Sequence, residues 1–157
     1  MPKQYYITVH DTYEEIHESP ELQISTGIVY YYDESRSKWL SVDKGKSVFS
    51  INRNSVNPIQ YLKINGIYCN IAGYHFSASS TITEIVCTSK RLCSGTLYIE
   101  GRRSGSSFWN TSIVFSNELY KKTTVNTDYQ ENDTLHVSVI AGSFSYPSVV
   151  IEHAFKL

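Results

Sequence analysis

The stretch Gly27-Ile-Val-Tyr-Tyr-Tyr-Asp-Glu-Ser-Arg-Ser-Lys-Trp-Leu-Ser-Val42 decides how the chain is read. Residues 28–32 and 38–42 combine aromatic and branched side chains, which suit a pleated, half-buried surface. Between them, Asp33-Glu-Ser-Arg-Ser37 supplies turn formers, whose short polar side chains bond to nearby backbone. The pattern predicts a β-hairpin. Alternation places Ile28, Tyr30 and Tyr32 on one face and Val29, Tyr31 and Asp33 on the other.

Toward the C-terminus, strand follows strand. Branched and aromatic runs predict strands over 47–51, 59–64, 74–78, 81–88, 96–100, 112–115, 121–125, 134–140 and 148–155. Leu135, Val137 and Val139 show a clean period of two. The expected connections are a loop over 52–58, a tight turn at Asn65-Gly66, an irregular 67–73, a loop tip at Lys90-Arg91 and a Gly/Ser-rich loop over 101–107. About ten short strands without a long helical period imply an all-β, antiparallel sandwich. Strand number and loop length favour a jelly roll over an immunoglobulin fold, and the Cys…Trp…Cys spacing of the latter is missing.

Toward the N-terminus the character changes. Residues 3–10 fit a short strand with Tyr5, Ile7 and Val9 on one face. Asp11, Glu14, Glu15, Glu18 and Glu21 make the next segment acidic. Tyr13, Ile16 and His17 have the spacing of one or two helical turns, and an extended arm is equally allowed. Pro20 and Gly27 interrupt any longer helix and favour the arm. The chain therefore divides into an N-terminal arm, 1–26, and a jelly-roll β-sandwich domain, 27–157.

At 157 residues the chain is long enough to bury a sizeable core. Charged residues are sparse at 18%, while aromatics reach 13% with 13 tyrosines, a balance that suits large amphipathic faces. A net charge of -1 gives no global pull toward nucleic acid or an anionic membrane, and neither is expected as a partner. The acidic segment and the band Arg36, Lys38, Lys44, Lys46, Arg53 have the complementarity for docking between copies, with a solvated, unstructured arm as the more ordinary expectation. Without a secretory-type leader or a run of ~18 apolar residues, synthesis in a cytoplasm is expected.

No chemistry-bearing motif stands out. The five histidines lack metal-ligand spacing, so no metal or other cofactor is expected, and His153 reads as an interior, hydrogen-bonded residue. No nucleophile elbow or phosphate-binding loop is present, and the chain is expected not to be an enzyme. Cys87 and Cys93 flank Thr-Ser-Lys-Arg-Leu; two buried thiols are favoured over a cross-hairpin disulfide. Phe108, Trp109, Phe144 and Tyr146 lie near loops, where aromatic rings can stack on sugars. Burial of Trp109 is the competing expectation.

Three segments carry a resemblance: Tyr32-Asp-x-x-Arg-x-Lys-Trp-Leu-Ser-Val42; Gln60-Tyr-Leu62 with Asn70-x-Ala-Gly-Tyr74 and Thr81-Ile-Thr-x-Ile85; and Pro147-x-Val-Val-Ile-Glu152 followed by Ala154-Phe155. In this order, from about Gly27 to the end, they resemble small β-sandwich virion proteins of tailed bacteriophages, of the head-decoration or head-fibre kind. The chain departs from that pattern at Ser77-Ala-Ser-Ser80 and in its final aromatic, Phe155. The resemblance implies a subunit, usually trimeric, that binds the major capsid protein on the outer surface of the virion and stabilises the head. Tyr30, Tyr31, Tyr32, Arg36, Lys38 and Trp39, with Tyr5, Ile7 and Val9 of the arm, are then the expected subunit- and partner-binding residues. The alternative is a carbohydrate- or receptor-binding module of a phage tail or fibre tip, with Phe108, Trp109, Phe144 and Tyr146 meeting a host-surface glycan.

Overall fold

A computed structural model describes the backbone of Ile7–Thr8, Tyr13–Ile16 and residues 22–157, with side chains from Ser25 onward. The strands are β1 (Ile7–Thr8), β2 (Tyr13–Ile16), β3 (Leu22–Ser25), β4 (Ile28–Asp33), β5 (Lys38–Ser50), β6 (Gln60–Tyr61), β7 (Lys63–Ile64), β8 (Ile67–Tyr68), β9 (Tyr74–His75), β10 (Ser80–Arg103), β11 (Ser106–Tyr129), β12 (Thr134–Gly142) and β13 (Ser148–Lys156). All pair antiparallel, and the described residues contain no helix.

Two long strands organise the fold. β10 and β11 each run 24 residues and pair with one another along most of their length. The first half of β10, 80–88, pairs with β13, and its second half, 95–102, pairs with β12. One sheet therefore reads β5-β13-β10-β11, and the facing sheet reads β6-β12-β10-β11. Two four-stranded sheets in this order, with β10 and β11 crossing between them, constitute the jelly roll.

The crossing is where expectation and structure differ. Lys90-Arg91 is expected as a loop tip, yet the strand continues through it. The register slips between Thr88 and Cys93 and again at Ser94, which bends the strand without ending it. Opposite the bend, Asn117 takes a left-handed φ of 60°, and its N–H donates to Ser94 Oγ at 2.9 Å. The expected 101–107 loop shrinks to Ser104-Gly105, both at positive φ, as a two-residue hairpin turn requires. Polar composition there reflects exposure of a long hairpin tip.

The core lies between the sheets and is built by alternation: Phe49 and Ile51, Ile85 and Cys87, Leu97 and Ile99, Ile113 and Phe115, Leu135, Val137 and Val139, Val149 and Ile151. At one end it becomes aromatic. Phe76 packs 4.5 Å from Tyr129 and 5.3 Å from His153, measured between ring centroids. Gly101 makes room for this cluster: a Cβ there would lie 2.5 Å from the Tyr129 hydroxyl. The expected interior His153 is buried, with Tyr74 Oη 3.2 Å from its Nε2.

Candidate interaction surface

The quoted stretch folds as the expected hairpin, with Tyr30 opposite Ser41, Tyr32 opposite Trp39 and Asp33 opposite Lys38. β1, β2 and β3 continue it as an antiparallel meander, so one edge of the first sheet extends through β4 to β1. Tyr5 and Val9 lie outside the described residues. Ile7 is in β1, and its side chain lies outside them as well.

The turn is locked to the sandwich through Arg36. Thr83 on β10 falls in a register slip against both β11 and β13, which leaves its carbonyl free of the sheet ladder. Arg36 Nη2 donates to that oxygen at 3.0 Å, and Nε donates to the Val125 carbonyl across the same bulge at 3.1 Å. Nη1 donates to Asp33 Oδ2 at 2.7 Å. Asp33 also accepts from Ser35 Oγ at 2.6 Å and from the Arg36 N–H at 3.0 Å. Burial alone would raise the Asp33 carboxyl; the Ser35 and Arg36 hydrogen bonds outweigh it and hold the group below the usual carboxylate range.

Lys38 is likewise engaged within the chain, donating to Asn126 Oδ1 at 2.7 Å and to Asp128 Oδ1 at 2.6 Å. Asp128 also accepts from Lys156 and Thr81. Desolvation opposes these contacts, but together they lower its carboxyl to about 2. Arg36 and Lys38 thus anchor the hairpin to its own sandwich. Strict alternation fails here for a related reason: Asp33 is buried because the Arg36 clamp closes over it. Tyr30 is buried too, whereas Tyr32 is 39% exposed and meets Trp39 edge-on at 5.5 Å. Tyr31 is half-buried. The exposed apolar part of the hairpin is therefore Val29, Tyr32 and, on β5, Val42, with half-buried Trp39 beside them.

The four aromatics considered for sugar stacking do not form one site. Phe144 is buried in the core, 5.2 Å from Phe115, which removes it from any surface role. Trp109 is half-buried against Tyr129. Phe108 is exposed near the Ser104-Gly105 turn, under the Arg103 guanidinium at 4.5 Å. Tyr146 lies beside the β10 bend, with Lys90 Nζ 4.8 Å from its ring. Along β10, residues 91–102 separate Lys90, beside Tyr146, from Arg103, beside Phe108. Sequence proximity to loops could not reveal this, because which loops share an end depends on β10 and β11 crossing between sheets.

Among the described residues, no three His, Cys, Asp or Glu side chains gather as a metal-ligand set. Cys69, Cys87 and Cys93 are buried and free, and desolvation pushes the Cys87 thiol up to about 12. His136 is enclosed between the Cys69 carbonyl at Nδ1 and Thr134 Oγ1 at Nε2, and burial lowers its basicity.

These features define a jelly-roll β-sandwich with a sheet extension on one edge. No protein-family model matches the chain, and no curated protein matches it in sequence.

Proposed function

We propose that this protein is a non-enzymatic virion subunit that assembles, as a trimer, on the outer surface of a tailed-phage head and binds the major capsid protein. The observation that carries the reading is the β1–β4 meander. It prolongs one sheet beyond the two-layer sandwich and, among the described residues, ends in β1 as an edge strand, and an edge of that kind suits strand addition by another chain. Beside it, Tyr32 and Trp39 offer an aromatic pair of the kind enriched at the centre of interfaces. The likeness of the Lys38-Trp-Leu-Ser41 segment to head-decoration and head-fibre proteins points the same way.

The test pairs mass photometry of the purified chain with co-sedimentation on phage capsids lacking their decoration. A trimer that sediments with capsids is expected. Tyr32→Ala with Trp39→Ala should weaken both while leaving the sandwich folded. A chain that stays monomeric at micromolar concentration and remains in the supernatant would remove the proposal.

A further inference from the structure

We propose that a groove between β5 and the β7–β8 hairpin binds a carboxylated saccharide. The groove arises from a short sequence signal. Asn65 and Gly66 adopt φ of 50° and 82°, giving a two-residue turn that sets Lys63 directly opposite Tyr68. Lys63 also pairs with Ser50 on β5, so the hairpin stands beside the end of that strand. The space between them holds about 510 Å³.

Its lining is cationic without an acid. Arg53 and Lys63 both face it, no carboxylate does, and neither residue forms an ion pair among the described residues. Eight other Lys and Arg side chains are ion-paired within the chain; of the five described ones that are not, Arg53 and Lys63 line this groove together. The two are nonetheless positioned: Lys63 Nζ sits 4.5 Å from the centre of the Tyr68 ring, and Arg53 Nη2 donates to Gln60 Oε1 at 3.3 Å. That single contact leaves most of the guanidinium fork free for a carboxylate, its natural bidentate partner.

The remaining lining chooses the rest of the ligand. Ser50, Asn52 and Asn65 offer hydroxyl and amide groups that both donate and accept, as sugar hydroxyls require. Val48 and Tyr68, each more than a third exposed, provide apolar surface for the C–H face of a pyranose ring. A Cβ on Gly66 would meet nothing within 4 Å, so the turn leaves its side of the groove open. A bare phosphate is better held by a helix N-terminus or a nest of backbone N–H groups. This groove presents side chains spread over a ring-sized space.

Calorimetric titration of the full-length protein at low salt tests the assignment. The probes are trigalacturonic acid and N-acetylneuraminic acid, against maltotriose, triglutamate and inorganic phosphate. At least one acidic sugar should bind, weaken with added salt, and lose at least tenfold in affinity in Arg53→Gln or Lys63→Gln. Lys122→Gln, a change at an exposed ion pair, should leave the affinity unchanged. Thermal unfolding of each variant establishes that it is folded. The proposal is overturned if neither acidic sugar binds or if folded Arg53→Gln and Lys63→Gln both bind normally. It is equally overturned if maltotriose, triglutamate or phosphate binds as tightly; triglutamate binding would reassign the groove to an acidic peptide.

Discussion

Replacing Arg36 with alanine tests whether this side chain belongs to the fold or to a partner. The change deletes three donors at once, those to Asp33 Oδ2, the Thr83 carbonyl and the Val125 carbonyl. The Arg36 side chain is 14% exposed and that of Asp33 is 9% exposed, so water replaces the lost contacts only in part. A charge-assisted hydrogen bond contributes about 1.5–3 kcal/mol net, and orphaning one partner of a buried ion pair costs about 3–5 kcal/mol. Asp33 retains Ser35 and a backbone N–H, which places the expected loss toward the lower end, at about 3–4 kcal/mol. For a domain of this size that corresponds to a fall in Tm of about 6–16 °C. Urea and thermal unfolding of the isolated protein measure it, with Asp33→Asn and the double variant completing a cycle. The double variant should lose less than the sum of the singles, because each single change already breaks the shared contact. Arg36→Lys should recover little, since an ammonium cannot span three acceptors in a plane. A loss below about 1 kcal/mol at unchanged m-value would refute the clamp. Normal stability joined to lost capsid binding would return Arg36 to the interface.

Three further outcomes follow from the interior. His136 and His153 are both buried with basicity lowered chiefly by desolvation. Below the ordinary histidine value near 6.5 the unfolded chain binds protons that the folded one refuses, so stability should fall with decreasing pH, by up to about 1.4 kcal/mol per pH unit for each histidine. Tm measured from pH 7.5 to 4.5 checks this, and His136→Asn should flatten the slope. Asp128 adds a second acid loss between about pH 4 and 2, small because its side chain is 37% exposed to solvent. The thiols should be inert: maleimide at pH 7 should leave Cys87 unmodified in the folded protein and label all three cysteines in denaturant, read by mass spectrometry. Gly101→Ala should destabilise by about 1–3 kcal/mol through overpacking against the Tyr129 hydroxyl. Tyr129→Phe, which removes a buried hydroxyl lacking a partner among the described residues, should be neutral or mildly stabilising and should rescue part of the Gly101→Ala loss.

The strands were legible because their signals are local. Alternation in Leu135, Val137 and Val139 marks an inward face, and Asn65-Gly66 marks a turn that the backbone adopts at φ of 50° and 82°. The hairpin over 27–42 was visible for the same reason. What was not legible depends on long-range registration. Lys90-Arg91 is polar because the bend of β10 is exposed, and polarity alone does not separate a bent strand from a loop. Phe144 sits near a turn in sequence, yet it pairs through the backbone with Val56 and packs on Phe115 inside the sandwich. Arg36 and Lys38 looked like surface charges available to a partner. Apart from Asp33, their acceptors lie on β10 and β11, 47 to 90 residues away, and the two carbonyls that Arg36 reaches flank a bulge that no local pattern announces.

The same two long strands also sort the charges of the molecule. At the end holding the β4–β5 turn, Arg36, Lys38, Arg103 and Lys156 each meet an aspartate at 2.6–2.7 Å. Those contacts close the hairpin turn, tie the hairpin and β13 to Asp128 of β11, and tie the β10–β11 turn to the β11–β12 loop, so charge there serves the fold. At the other end, where β5 runs out, β10 bends and β13 begins, Arg53, Lys63, Lys90 and Arg91 have no carboxylate partner among the described residues. Cohesion there comes from backbone links instead: the Tyr146 N–H donates to the Arg53 carbonyl and the Lys90 N–H to the Ser145 carbonyl, both at 2.8 Å. The framework of that end therefore does not require these four cations. Substituting them should alter stability by no more than about 0.5 kcal/mol, as for surface positions outside any network. A cation that the fold can lose without cost is one whose charge is directed outward, and that separates the Arg53–Lys63 groove from the Arg36 clamp. If Arg53→Gln destabilised the chain as much as Arg36→Ala, the distinction between the two ends would be void.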